Sequence, residues 1–230
     1  MKWWKKWWSY LLPVHLESVG SELNEALDLY LIKNRLRLTT LDAIYSFDDK
    51  YYNFHKAFEH FELPPNGAHV LILGLGLGSI PFMLEKTFQK DYHYTGVDLD
   101  DAVLYLFAKY QQERLKSPLQ IIETDATLFM QSQSNRYNLI CIDVFIGEIV
   151  PSHVKTNAFI RQLKNALLPG GRILWNMLYD TNEQARAVDK FIEYQFRTIF
   201  PDYQILQVLG NVILTNRAWN DEATSNHSEK

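Results

Sequence analysis

The stretch "HVLILGLGLGSIPFMLEK", His69 to Lys86, carries the reading of the fold. An apolar run of strand length passes into Gly74, Gly76 and Gly78, and these pass into a helical pattern that begins at Ser79. Glycines at such a junction let the backbone turn tightly and approach a ligand, and the helix beyond presents free N–H groups. A dinucleotide fingerprint would place Gly or Ala at its sixth position, where this chain has Ser79. The turn is thus a candidate nucleoside site of a different type. The alternative is a tight strand-to-helix turn that binds nothing.

Beyond the turn, strand and helix alternate. "HYTGVD", "LQIIETD", "YNLICID" and "RILWNML" read as strands. Between them lie the helices "DDAVLYLFAKYQQERLK", Ala126 to Ser132, and "HVKTNAFIRQLKNALL", the last closed by Pro169-Gly170-Gly171; "NEQARAVDKFIEYQFRTIF" follows the last of those strands. Such alternation predicts a parallel sheet with right-handed crossovers. The end differs, because "YQILQV" and "VILTN" flank only Leu209-Gly210-Asn211 and must pair antiparallel. The expected fold is α/β, a seven-stranded, mostly parallel sheet with a C-terminal antiparallel hairpin.

Ahead of this body, "ALDLYLIKNRLRLTT" alternates around Lys33-Asn34 and predicts a β-hairpin extension, followed by a helix over "YYNFHKAFEHFEL". "MKWWKKWWSYLLPV" places Trp3, Trp4, Trp7, Trp8, Leu11 and Leu12 at helical spacing among Lys2, Lys5 and Lys6. Its apolar face is expected to pack on the body or on a second subunit, giving a homodimer; the less favoured reading is a peripheral membrane helix. The expected divisions are 1–20 for the amphipathic helix, 21–62 for the hairpin and lead-in helix, 63–217 for the α/β domain, and 218–230 for a disordered tail.

Composition narrows the classes. The 230 residues are 47% hydrophobic and 22% charged, with net charge −4, so no basic excess suggests a nucleic-acid partner. Cys141 is the single cysteine and sits in an apolar run, which suggests packing and a reducing cytoplasm. No apolar run reaches the length of a membrane span, and no metal-ligand cluster is expected.

Carboxylates end successive strands. Asp98 ends the second strand, at the spacing that suits both hydroxyls of a ribose; capping the next helix is its other reading, a role open also to Asp100. Asp125 ends the third, suited to an adenine amino group or to capping the following helix. Asp143 ends "YNLICID".

In this order the motifs resemble the spermidine-synthase-like group of the class I S-adenosylmethionine-dependent transferase fold, over roughly residues 25–216. The carriers are the glycine turn, "GVDLDDAV", "TDA" at 124–126, "YNLICIDVF", "VPSHVKTNAFIRQLKNALLPGGRILWN" and the final hairpin. The resemblance implies that Gly74, Gly76 and Gly78 wrap the methionine moiety, that Asp98 holds the ribose, and that Asp125 contacts adenine with Ala126 beside the ring. It implies a base or anchoring role for Asp143 and an acceptor-pocket role for Tyr52. The chain departs from the aminopropyltransferase pattern in three places: Leu77 replaces an Asp of the glycine loop, Ile146 replaces the second acid after Asp143, with Glu148 as a nearby substitute, and Asn53 stands where the family tends to have His.

A polyamine needs its positive charges held by carboxylates. That count favours an S-adenosylmethionine-dependent methyltransferase acting on a small molecule, and a poor spermidine synthase. The alternatives are a divergent aminopropyltransferase using decarboxylated S-adenosylmethionine, and a non-catalytic nucleoside-binding or scaffold protein.

Overall fold

The computed structural model describes residues 3–40, 44–147 and 149–218. The chain opens with helix α1, Trp3–Trp8, then a four-stranded antiparallel sheet of β1 (Val14–Val19), β2 (Leu27–Ile32), β3 (Arg35–Thr39) and β4 (Ile44–Ser46). The hairpin is where the alternation puts it: Leu27, Leu29, Leu31, Leu36 and Leu38 are all fully buried. Lys33 and Asn34 take the positive φ values, 48° and 62°, of a two-residue hairpin turn. Ser9 holds that turn, its carbonyl accepting from Lys33 N at 2.6 Å and its Oγ from Asn34 N at 2.9 Å.

The expected helix over 1–20 is much shorter. Pro13 biases the preceding residue away from helix, and the alternating residues after it pair with β2, Val14 opposite Leu31. The extension is therefore a four-stranded sheet rather than a hairpin alone. The disordered tail expected over 218–230 lies almost wholly outside the described residues.

The main sheet holds β5 (His69–Leu73), β6 (His93–Asp98), β7 (Leu119–Glu123), β8 (Tyr137–Ile142), β9 (Leu167–Leu178), β10 (Gln204–Val208) and β11 (Asn211–Thr215), in spatial order β10-β11-β9-β8-β5-β6-β7. The five strands from β9 to β7 are parallel, and β10 and β11 form the antiparallel end. Strand β9 starts earlier than expected. Pro169-Gly170-Gly171 lies inside it as an irregularity, with Gly170 at φ 76° and a register shift against Tyr137 and Leu139, the kind of place a sheet tolerates proline.

Apolar residues cover both faces of the sheet. One core joins Leu29 and Leu31 to Phe54 of α2 (Tyr52–Glu59), Met83 of α3 (Ser79–Lys86) and Leu106 of α4 (Asp101–Leu106). The other joins Phe129 of α5 (Ala126–Ser132), Phe159 of α6 (Asn157–Asn165) and Phe191 of α7 (Asn182–Phe191) around Trp175, whose ring meets Phe159 and Phe191 edge-on. Buried Asp48 ties the small sheet to the chain beyond α4: it accepts from Leu36 N, pairs with Arg114 at 2.8 Å, and accepts from Gln111 Nε2 at 2.9 Å.

The chain leaves β5 to build β6 and β7 on one side and later β8 and β9 on the other. The carboxyl ends of β5 and β8 flank this switch point, where open α/β sheets bind ligands. Gly74 follows one and Asp143 the other.

Candidate active site

The glycine turn is dictated by sterics. Gly74 has φ 83°, and a Cβ there would lie 2.3 Å from the Asp143 carbonyl oxygen, so only glycine lets the two strand ends approach. Gly76 has φ 55°, nothing within 4 Å of where a Cβ would stand, and lines a cleft. Gly78 does other work than expected. It is not part of the cleft; a Cβ there would meet the Phe107 ring at 2.5 Å, so it lets α3 pack against its neighbour. Leu77 is fully buried in the core.

Asp98 closes the turn. Its Oδ2 accepts from Gly76 N at 2.7 Å and its Oδ1 from Asp100 N at 3.1 Å. Burial raises its pKa, and those two N–H groups oppose the rise. Asp100 is the helix cap, accepting from Ala102 N and Val103 N, which leaves Asp98 on the cleft wall.

Asp125 is the cap of the helix that follows it. Its Oδ1 caps α5 through Thr127 N, Leu128 N and the Thr127 hydroxyl, while Oδ2 faces His153 Nε2 at 3.1 Å. Burial works against its ionisation, but the Thr127 and Leu128 hydrogen bonds hold its pKa below the usual range. Asp125 and Ala126 both line the cleft.

Asp143 stands at the centre. Its Oδ1 accepts from Asn176 Nδ2 at 2.9 Å and from the Tyr51 hydroxyl at 3.1 Å. Its Oδ2 accepts no hydrogen bond from the described residues. Burial pushes its pKa up to about 6, against the Asn176 and Tyr51 hydrogen bonds, with the nearby Asp98 charge adding to the rise. Tyr51 is held protonated by burial and by Asp143, so it remains a donor. Asn211 Nδ2 donates to Asn176 Oδ1 at 2.9 Å, which turns the Asn176 amide group toward Asp143.

Six predicted residues therefore meet at one cleft: Gly74, Gly76, Asp98, Asp125, Ala126 and Asp143. Tyr52 does not. It is 46% exposed, takes Lys56 over its ring, and lies off the cleft: it opens α2 on the outward side, while Tyr51, the N-cap before it, points inward. Glu148 lies outside the described residues. Tyr51, Asn176, Asn211 and His153 were not predicted. Of these, Asn176 carried a signal: it is a polar residue inside the apolar strand "RILWNML", and buried polar groups are informative.

The described residues lining the cleft include three aspartates and no lysine or arginine. The site suits a cation. Among the described residues, no cluster of His, Cys, Asp and Glu is arranged to hold a metal ion, and no helix is long and apolar enough to cross a membrane.

This sheet order, with the glycine turn and strand-end acids at one edge, is the class I methyltransferase Rossmann-like fold. Within that class the chain's similarities run to spermidine synthases and aminopropyltransferases. It is similar to a probable spermidine synthase of Corynebacterium glutamicum, at 17% identity and TM-score 0.66, over 89% of this chain and 79% of that one. Human methyltransferase-like protein 13 with bound S-adenosylhomocysteine shares the fold at 18% identity and TM-score 0.55, over 68% and 74% of the two chains. In sequence, the polyamine aminopropyltransferase of Vibrio vulnificus is 27% identical over 158 residues, covering 65% of this chain and 50% of that protein. The chain thus spans half the length of that curated relative. No protein-family profile matches it.

Proposed function

We propose that the protein is a transferase that takes an adenosyl sulfonium donor and alkylates an amine held at Asp143, and that the group moved is aminopropyl, from decarboxylated S-adenosylmethionine. The observation that carries the reading is the Asp143 carboxylate, its pKa pushed up to about 6 and its Oδ2 free of hydrogen bonds from the described residues, in the cleft that Gly74, Gly76 and Asp98 also line. The donor supplies an electrophilic carbon and a neutral thioether leaving group. The chain's own residues position the reactants and manage a proton. Asp98 holds ribose hydroxyls, Asp125 and Ala126 take the base, and Asp143 Oδ2 accepts the proton of the attacking amine. Asn176 and Tyr51 steady the carboxylate through Oδ1.

The choice of donor follows from charge. An intact amino-acid end brings a carboxylate into a cleft that has three aspartates and no lysine or arginine among its described lining residues. The decarboxylated donor avoids that repulsion, and the Vibrio vulnificus relative bears the name of an aminopropyltransferase. Methyl transfer, the sequence-based expectation, stays as a second reading because Ile146 lines the cleft where a second acceptor anchor is lost. A small-molecule acceptor and a cytoplasmic setting belong to both readings. Calorimetry with S-adenosylmethionine, its decarboxylated form and methylthioadenosine, followed by mass analysis of products from amine acceptors, tests them. Tighter binding of the intact donor with methylated product overturns the aminopropyl reading; binding of none overturns both and leaves the scaffold.

A further inference from the structure

The rest of the chain does not cover the apolar face of the N-terminal helix. Trp3, Trp4, Trp7 and Trp8 are 74, 44, 73 and 55% exposed, and Leu11 and Leu12 continue the face at 75 and 64%. The segment is nonetheless fastened in place. Ser9 is buried and bonds both residues of the β2–β3 turn, so α1 is held out on the tip of the hairpin. Six large apolar side chains presented together exceed what a protein surface leaves in water without purpose.

We propose that this face docks the protein on an anionic lipid surface. Residues 1–12 contain Lys2, Lys5 and Lys6 and no acid, although the whole chain has net charge −4. Lys33, at the turn that Ser9 holds, adds a further exposed cation beside the helix. A second copy of the chain is the competing occupant. A two-fold interface sets a patch against itself, so the lysines of the two copies would meet with no acid in the segment to pair them. Anionic headgroups meet the same lysines with opposite charge. Tryptophan is the side chain that favours the headgroup level, with its ring in the apolar boundary and its N–H toward water.

The test is flotation of the full chain with vesicles of phosphatidylcholine alone, and of phosphatidylcholine with about one-third phosphatidylserine. Light scattering of the free protein runs alongside. The anionic vesicles should carry the protein and shift tryptophan emission to the blue, and binding to the neutral ones should be at least about tenfold weaker. K5E/K6E should lose at least about tenfold in affinity, since each lysine near such a surface contributes on the order of a factor of five. A Trp→Ser change at positions 3, 4, 7 and 8 should abolish flotation and leave the circular-dichroism melt in place, because these side chains are solvent-exposed. Three results overturn the proposal: no flotation of the wild type at low salt, equal flotation of the tryptophan variant, or a wild-type dimer that the tryptophan variant turns into a monomer.

Discussion

Asn176 Nδ2, on β9, donates to Asp143 Oδ1 at 2.9 Å, just past the end of the neighbouring β8. The bond fixes which carboxylate oxygen is occupied and leaves the other toward the cleft. Asp143→Asn keeps the shape and removes the base. Turnover should fall on the order of 10²–10⁴-fold, with donor affinity changed little. Single-turnover product formation beside calorimetry checks this; retained turnover would remove Asp143 from the proton path.

The pH dependence follows from the same carboxylate. Its folded pKa of about 6 lies above the unfolded value, so Asp143 is protonated in both states below about pH 4 and costs nothing there. Stability is then lost as pH rises through 6, by up to about 3 kcal/mol for a shift of roughly two units. Asp143→Asn should therefore be more stable than wild type at pH 8 and equal to it at pH 4, by chemical denaturation. In wild type, kcat/KM should rise with pH through about 6. Asn176→Ala should move that inflection upward, because it removes a donor to the charged form.

Tyr51, the N-cap of α2, points into the cleft, and Tyr52, its first residue, points out. Tyr51→Phe removes a hydroxyl from Asp143 and should lower kcat/KM about tenfold, on the scale of one hydrogen bond to a charged group. Tyr52→Phe should change nothing measurable, its ring being half exposed. Equal losses in steady-state assays would return Tyr52 to the site.

Asp98→Ala should weaken nucleoside binding by about 1.5–3 kcal/mol, measured with methylthioadenosine. Asp98→Asn retains one acceptor and should lose less. An unchanged dissociation constant in the Ala variant counts against the ribose role.

Asp48 is a structural counterpart that does not line the cleft. Asp48→Ala leaves the Leu36 N–H and the Gln111 amide without their acceptor and takes the carboxylate from Arg114, and should cost about 1–3 kcal/mol in urea denaturation. A loss under about 1 kcal/mol would mean that water reaches the pair.

Local chemistry was enough for much of this molecule. Alternating leucines placed the β2–β3 hairpin, because a period of two leaves one face to bury. Strand-helix alternation called for a parallel sheet, and a three-residue gap for its antiparallel end. Glycines and strand-end aspartates marked one edge of that sheet, since ligand-binding ends need close backbone and exposed polar groups. Tertiary structure decided the rest. Tyr51 and Tyr52 are indistinguishable in sequence, and only the packing of α2 on the sheet turns one toward Asp143. Asn176 and Asn211 lie 33 and 68 residues from Asp143 in the chain, and only the strand order brings Asn176 to it and Asn211 to Asn176. Gly78 needed Phe107 to reveal a packing role. The tryptophans of α1 show the same limit: their spacing gives an amphipathic helix, but whether it is covered depends on where Ser9 pins it.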